Sequence, residues 1–131
     1  MAFAMGSWCR DLQPAGVINA IPGNHFELAD QTATTATQTL VSRAKFLRAV
    51  IYCKNMASTG SCSFFLQAGT TTAWGTGAIN IDSRSIGGSS GSYTFILEGF
   101  YPDAATTGAL AARVQVIPVA GWTFDCIIDG L

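Results

Sequence analysis

From Phe46 onward, apolar and polar side chains alternate with the two-residue period of a β-strand. In 46–54, FLRAVIYCK, Leu47, Ala49, Ile51 and Cys53 share one face; Phe46, Arg48, Val50, Tyr52 and Lys54 share the other. In 62–68, CSFFLQA, Cys62, Phe64, Leu66 and Ala68 oppose Ser63, Phe65 and Gln67. In 92–99, SYTFILEG, Tyr93, Phe95 and Leu97 oppose Thr94, Ile96 and Glu98. The stretch 110–119 turns Ala112, Val114 and Val116 inward and Arg113 and Gln115 outward. The stretch 122–129 turns Trp122, Phe124, Cys126 and Ile128 inward and Thr123, Asp125 and Asp129 outward. A shorter strand, Ala78 to Asp82, follows the turn Trp74-Gly75-Thr76-Gly77, and Gly87 to Gly91 reads as a loop. No segment carries a convincing helical period. Only the Ala-rich stretch Asp103 to Ala112 has room for a turn of helix, and its Thr-Thr-Gly favours a loop.

Short strands at this spacing predict an all-β fold, an antiparallel β-sandwich of jelly-roll type. Its inner faces would be built from Leu47, Ile51, Phe64, Leu66, Phe95, Leu97, Val114, Val116, Phe124 and Ile128. The turn-rich NMASTGS between the first two strands reads as a hairpin loop. Folded symmetrically about Ala57 and Ser58, that hairpin sets Cys53 opposite Cys62, at a Cα separation of about 4.5–5.5 Å. A disulfide fits that range, but a reduced pair at the core edge is the default for a chain made in a reducing compartment. Residues 1–37 show no sustained period and read as an N-terminal arm, with Val17–Ile21 and His25–Leu28 as pieces able to join the sandwich edges. Residues 38–131 form the β-sandwich domain. Phe3, Met5 and Trp8 make the arm tip apolar, either to dock on a neighbouring subunit or to fold back over the sandwich.

Composition changes this picture in one respect. Only 11% of the 131 residues are charged, while 49% are hydrophobic, against roughly 25% charged in average globular domains. A surface so poor in charge is expected to be covered by other protein. Charge poverty concentrates in the first nine residues, the Thr-rich segment 31–42 and the loops from Asn55 to Ile81, whereas Arg48, Lys54, Glu98, Arg113, Asp125 and Asp129 fall on outward strand positions. The net charge of −1 and the scattered basic residues argue against nucleic acid. No apolar run reaches the length of a membrane helix, and the N-terminus lacks the basic start of a secretory signal. The chain is therefore expected in a cytoplasm or released from one.

Chemistry is sparse. His25 is the single histidine and sits in Gly-Asn-His-Phe, a turn, where it is expected to be solvated or capping. Asp125 and Asp129 share an outward face but stand about 13 Å apart by strand rise, too far to act together. Cys9, Cys53, Cys62 and Cys126 lack metal-ligand spacing. No catalytic residue, metal or cofactor is expected, and the chain is not expected to be an enzyme. The outward aromatics Tyr52 and Phe65 could lie under a neighbouring subunit, or, in the case of Tyr52 with Trp74 and Tyr101, form a platform on which a glycan stacks.

The order of these pieces resembles a pattern found in small tailed-bacteriophage virion proteins of jelly-roll type, most nearly the capsid decoration (cement) proteins. The resemblance covers residues 38–131. It rests on KFLRAVIYCKNMASTGSCSFFLQAGTTTAWGTGAINI, then Gly91-Ser92-Tyr93-Thr94-Phe95, the Arg-bearing Ala112–Val116, and the aromatic-led Trp122–Ile128. It implies a structural protein on the capsid exterior, made in the host cytoplasm. The implied protein is homo-oligomeric (dimer or trimer) and clamps neighbouring major capsid proteins, with no nucleic-acid or membrane partner. Phe3, Met5, Trp8, Arg48, Tyr52 and Phe65 are the expected contact residues. A carbohydrate- or receptor-binding fibre module and a tail or connector subunit are the alternatives.

Overall fold

The computed structural model describes residues 23–40, 46–55, 60–69, 79–87, 92–100, 111–117 and 121–131. Within them lie eight strands: β1 (His25–Gln31), β2 (Gln38–Thr39), β3 (Phe46–Asn55), β4 (Ser61–Gly69), β5 (Ile79–Gly87), β6 (Tyr93–Phe100), β7 (Ala111–Ile117) and β8 (Thr123–Gly130). They form two antiparallel four-stranded sheets, ordered β1-β8-β3-β6 and β2-β7-β4-β5. The chain crosses between sheets at almost every connection, which is the winding of a jelly roll.

The inner faces are those the two-residue period sets out. Leu47, Ile51, Phe64, Leu66, Phe95, Leu97, Val114, Val116, Phe124 and Ile128 are all buried in one apolar cluster. Phe64 stands at its centre, edge-on to Phe95 at 5.1 Å and to Phe124 at 5.3 Å between ring centroids. Edge-to-face geometry sets the positive ring edge of one aromatic against the negative face of the next.

The expected β3–β4 hairpin does not form. β3 pairs with β6 and β8, and β4 pairs with β5 and β7, in the opposite sheet. Cys53 and Cys62 are therefore on facing sheets and not on adjacent strands. Cys53, Cys62 and Cys126 are buried thiols. Burial first, and then the nearby Cys62, push the Cys53 thiol up to about 12. β5 is also longer than the sequence implied, running on to Gly87.

Two devices close the sheet edges. Beyond the two-residue β2, Thr34 and Thr35 continue along β7 with their hydroxyls. Val114 N–H donates to Thr35 Oγ1 at 3.0 Å, Val116 N–H to Thr34 Oγ1 at 3.1 Å, and Thr35 N–H to Val114 O at 3.0 Å. The Thr-rich segment, expected to lie under a neighbour, here serves its own sheet, and Thr35 is buried. At the other corner β5 meets β6. Asp82 accepts the Glu98 N–H at 3.1 Å, and Arg84 lies 5.6 Å from the Phe95 ring centre. Gly99 is needed there, because a Cβ would sit 2.7 Å from Ile81 Cγ2 and 3.2 Å from Ile81 O. Charged side chains on an edge strand also block its pairing with another chain.

Candidate interaction surface

The outer face of the β1-β8-β3-β6 sheet carries the ion pairs of the described residues. It is not the ordinary solvated exterior expected from its strand phase. Asp125 is 7% exposed and Asp129 1% exposed, and Val50 and Ile127, paired across β3 and β8, are buried beside them.

Two clusters occupy this face. At one end, Asp129 faces His25 across the β1–β8 pair and Arg48 across the β3–β8 pair. Asp129 Oδ1 lies 2.5 Å from His25 Nδ1, and Glu27 Oε2 lies 2.8 Å from His25 Nε2. Burial pulls the imidazole pKa down, but the bonds to Glu27 and Asp129 and their charges outweigh it, so the pKa is raised above 6.5. Arg48 Nη2 stands 3.8 Å from Asp129 Oδ2, and these two atoms, with Arg48 Nε, are buried without hydrogen-bond partners. His25, exposed as expected, begins the strand and clamps it through two carboxylates. Strand phase placed Asp129 on this face but could not name the cations across it.

At the other end, Lys54 bridges Asp125, at 2.8 Å, and Asp30. Both bonds raise the Lys54 pKa, Asp125 more than Asp30. A bulge between Leu28 and Gln31 puts Asp30 at φ 55°, a left-handed conformation that Asp tolerates better than most residues. Its N–H donates to Asp125 Oδ1 at 2.9 Å. The two clusters fasten β1, an edge strand, to the sheet.

The exposed part of this face lies along β6, the opposite edge. Ile96 is 47% and Phe100 73% exposed, and Phe100 packs edge-on against Phe46 at 4.8 Å. Tyr93, at the start of β6, is also exposed. Ile96 and Phe100 share the outer face on either side of Glu98 and form an interrupted apolar strip on an edge strand, whereas Tyr93 has the opposite strand phase. Sequence reasoning passed over it, although Ile96 stood at an outward position. The clue available was an apolar residue in a polar phase.

Of the expected contact residues, Arg48 and Tyr52 share this outer face, but Arg48 faces Asp129 and is largely withdrawn from solvent, and Tyr52 is half-buried. Phe65 lies on the outer face of the other sheet, between Ser83 and Gln115. The described three, Arg48, Tyr52 and Phe65, therefore do not form one patch. Phe3, Met5 and Trp8, and the glycan-platform residues Trp74 and Tyr101, lie outside the described residues. No group of three or more His, Cys, Asp or Glu among the described residues could hold a metal ion, and no described helix is long and apolar enough to cross a membrane.

No protein-family model and no curated protein matches the chain. Among solved structures it is similar to the C-terminal domain of EclA, a sugar-binding protein, with 14% identity over 89% of this chain and 87% of that one and a TM-score of 0.47. It is also similar to a protein of the Bacillus endospore appendages, described as forming a novel family of disulfide-linked pili. There the identity is 13%, coverage is 91% of this chain and 99% of that one, and the TM-score is 0.35. At this level of similarity neither bears on what the present chain does.

Proposed function

We propose that this chain is a structural subunit of a virus particle, a capsid decoration protein that binds across neighbouring major capsid proteins and stabilises the shell. The observation that supports this reading is the apolar strip on β6. Ile96 and Phe100 are exposed on the outer face of an edge strand in a chain with only 11% charged residues. Lasting protein contacts have apolar centres depleted of charge. The charged side chains of the two clusters on this face are engaged with one another and hold β1 to the sheet. The action is mechanical: each subunit bound to the assembled shell, and not to its separated parts, shifts the balance toward the shell by mass action.

The test is re-addition of purified protein to shells stripped of it, with occupancy read by sedimentation. Ile96→Lys and Phe100→Lys place a charge in the contact and are expected to abolish occupancy while leaving the melting transition in place. Full occupancy by both variants would remove the strip from the contact.

A further inference from the structure

The outer face of the β2-β7-β4-β5 sheet carries a different arrangement, on the side of the sandwich away from the β3 outer face. Pairing registers lay out three rows across β7, β4 and β5: Ile117, Ser63 and Ser85; then Gln115, Phe65 and Ser83; then Arg113, Gln67 and Asn80. Phe65 stands in the middle of this grid, half-buried.

Side-chain bonds hold the third row rigid. Gln67 Nε2 donates to Asn80 Oδ1 at 2.9 Å and to Gln115 Oε1 at 3.0 Å, while Arg113 Nε donates to Gln67 Oε1 at 2.9 Å. Gln67 itself is 6% exposed and saturated. Its role is to set the amides on either side. Gln115 and Asn80 both give their amide oxygens to Gln67, so neither oxygen is the group each would offer a ligand first. In the first row, the Ser63 and Ser85 hydroxyls bond each other at 2.8 Å.

We propose that this face binds a neutral saccharide, with one pyranose ring stacked on Phe65. A pyranose offers an apolar C–H face and a rim of hydroxyls that both donate and accept. Phe65 supplies an apolar ring at the centre. Serine hydroxyls and amide groups surround it, within a strand spacing of about 4.8 Å on either side. Arg113 is the single formal charge among the nine grid positions, and its Nε is bonded to Gln67; the other rim groups are uncharged and match hydroxyls. Hydrogen bonds already fixed between side chains lower the ordering cost of binding. A protein partner would be expected to meet a more apolar centre than one phenyl ring and the exposed Ile117 among serines and amides.

The experiment screens the intact protein on a printed array of neutral, sialylated and sulfated oligosaccharides, followed by calorimetric titration of the glycans that bind. Neutral glycans are expected to bind. Phe65→Ala and Gln115→Ala should each weaken that binding by about tenfold or more, and Phe65→Trp should preserve it. Phe65→Ala and Phe65→Trp should keep a melting temperature near the parent's, whereas Gln115→Ala strips an acceptor from the buried Gln67 and should melt lower while still folding. Four results would overturn the assignment: no glycan bound, preference for anionic glycans, binding indifferent to Phe65→Ala, or a self-association that Phe65→Ala abolishes. Shell occupancy of the same variants separates this face from the β6 strip: Phe65→Ala should lose glycan and keep the shell.

Discussion

Removing Asp129 and removing Arg48 should have very different costs, although the two form one ion pair. Asp129 is 1% exposed and answers two cations, His25 at 2.5 Å and Arg48 at 3.8 Å. Asp129→Ala leaves both without that carboxylate, and Arg48, only 13% exposed along its side chain, is left buried and unpaired. Removing one partner of a buried pair costs about 3–5 kcal/mol. At about 4 °C per kcal/mol for a domain of this size, melting should fall by roughly 12–20 °C. Arg48→Met is the reverse case. Asp129 keeps its bond to His25, and the lost guanidinium atoms Nε and Nη2 already lack hydrogen-bond partners. Their desolvation is uncompensated in the parent, so an apolar chain of similar length should stay within about 1 kcal/mol of it. The assay is urea unfolding followed by circular dichroism at pH 6, where His25 is charged, accepting only variants whose denaturant slope matches the parent. Equal costs, or a larger cost for Arg48→Met, would refute the reasoning and make the Arg48–Asp129 contact the dominant one.

Other consequences follow from the same geometry. The folded pKa of His25 lies above 6.5, so the stabilisation from its charged form is complete below that value and is lost as pH rises through the folded pKa. The parent should lose stability across that window in chemical denaturation, His25→Phe should flatten the profile, and an unchanged slope in the variant would assign the loss elsewhere. Gly99→Ala forces a methyl to within 2.7 Å of Ile81 Cγ2 and should cost about 1–3 kcal/mol of unfolding free energy; a neutral result would mean that β5 and β6 part freely. Cys53, with its thiol pushed up to about 12, should resist a thiol-specific reagent at neutral pH until urea unfolds the chain. Reaction at the rate of an exposed cysteine would show the core open at that end.

The core was legible because period two is a local property. Phe64, Leu66, Val114 and Phe124 could be placed from their neighbours in sequence alone, and each is buried. Pairing was not legible. The segment after Asn55 carries turn residues suited either to a hairpin or to an arch between sheets, and only the distant strands β6 and β8 decide that β3 is taken. The charged face was half legible. Strand phase put Asp125 and Asp129 outward correctly, but phase says nothing of the neighbours that bury them. The edge piece beginning at His25 was legible and is the start of β1, but the carboxylates that His25 meets were not, because they come from its own strand and from the far end of the chain. Thr34 and Thr35 gave no strand pattern because their side chains, and not only their backbone, serve the edge of β7.

The structural role rests on where this chain sits and what covers β6. A cryo-electron microscopy map of the virus particle proposed to carry it answers both at once. The expected result is density for the jelly roll on the outer surface of the shell, with Ile96 and Phe100 buried against a neighbouring protein. Density at a fibre tip or in the tail, or a shell-bound chain with β6 facing solvent, would contradict it.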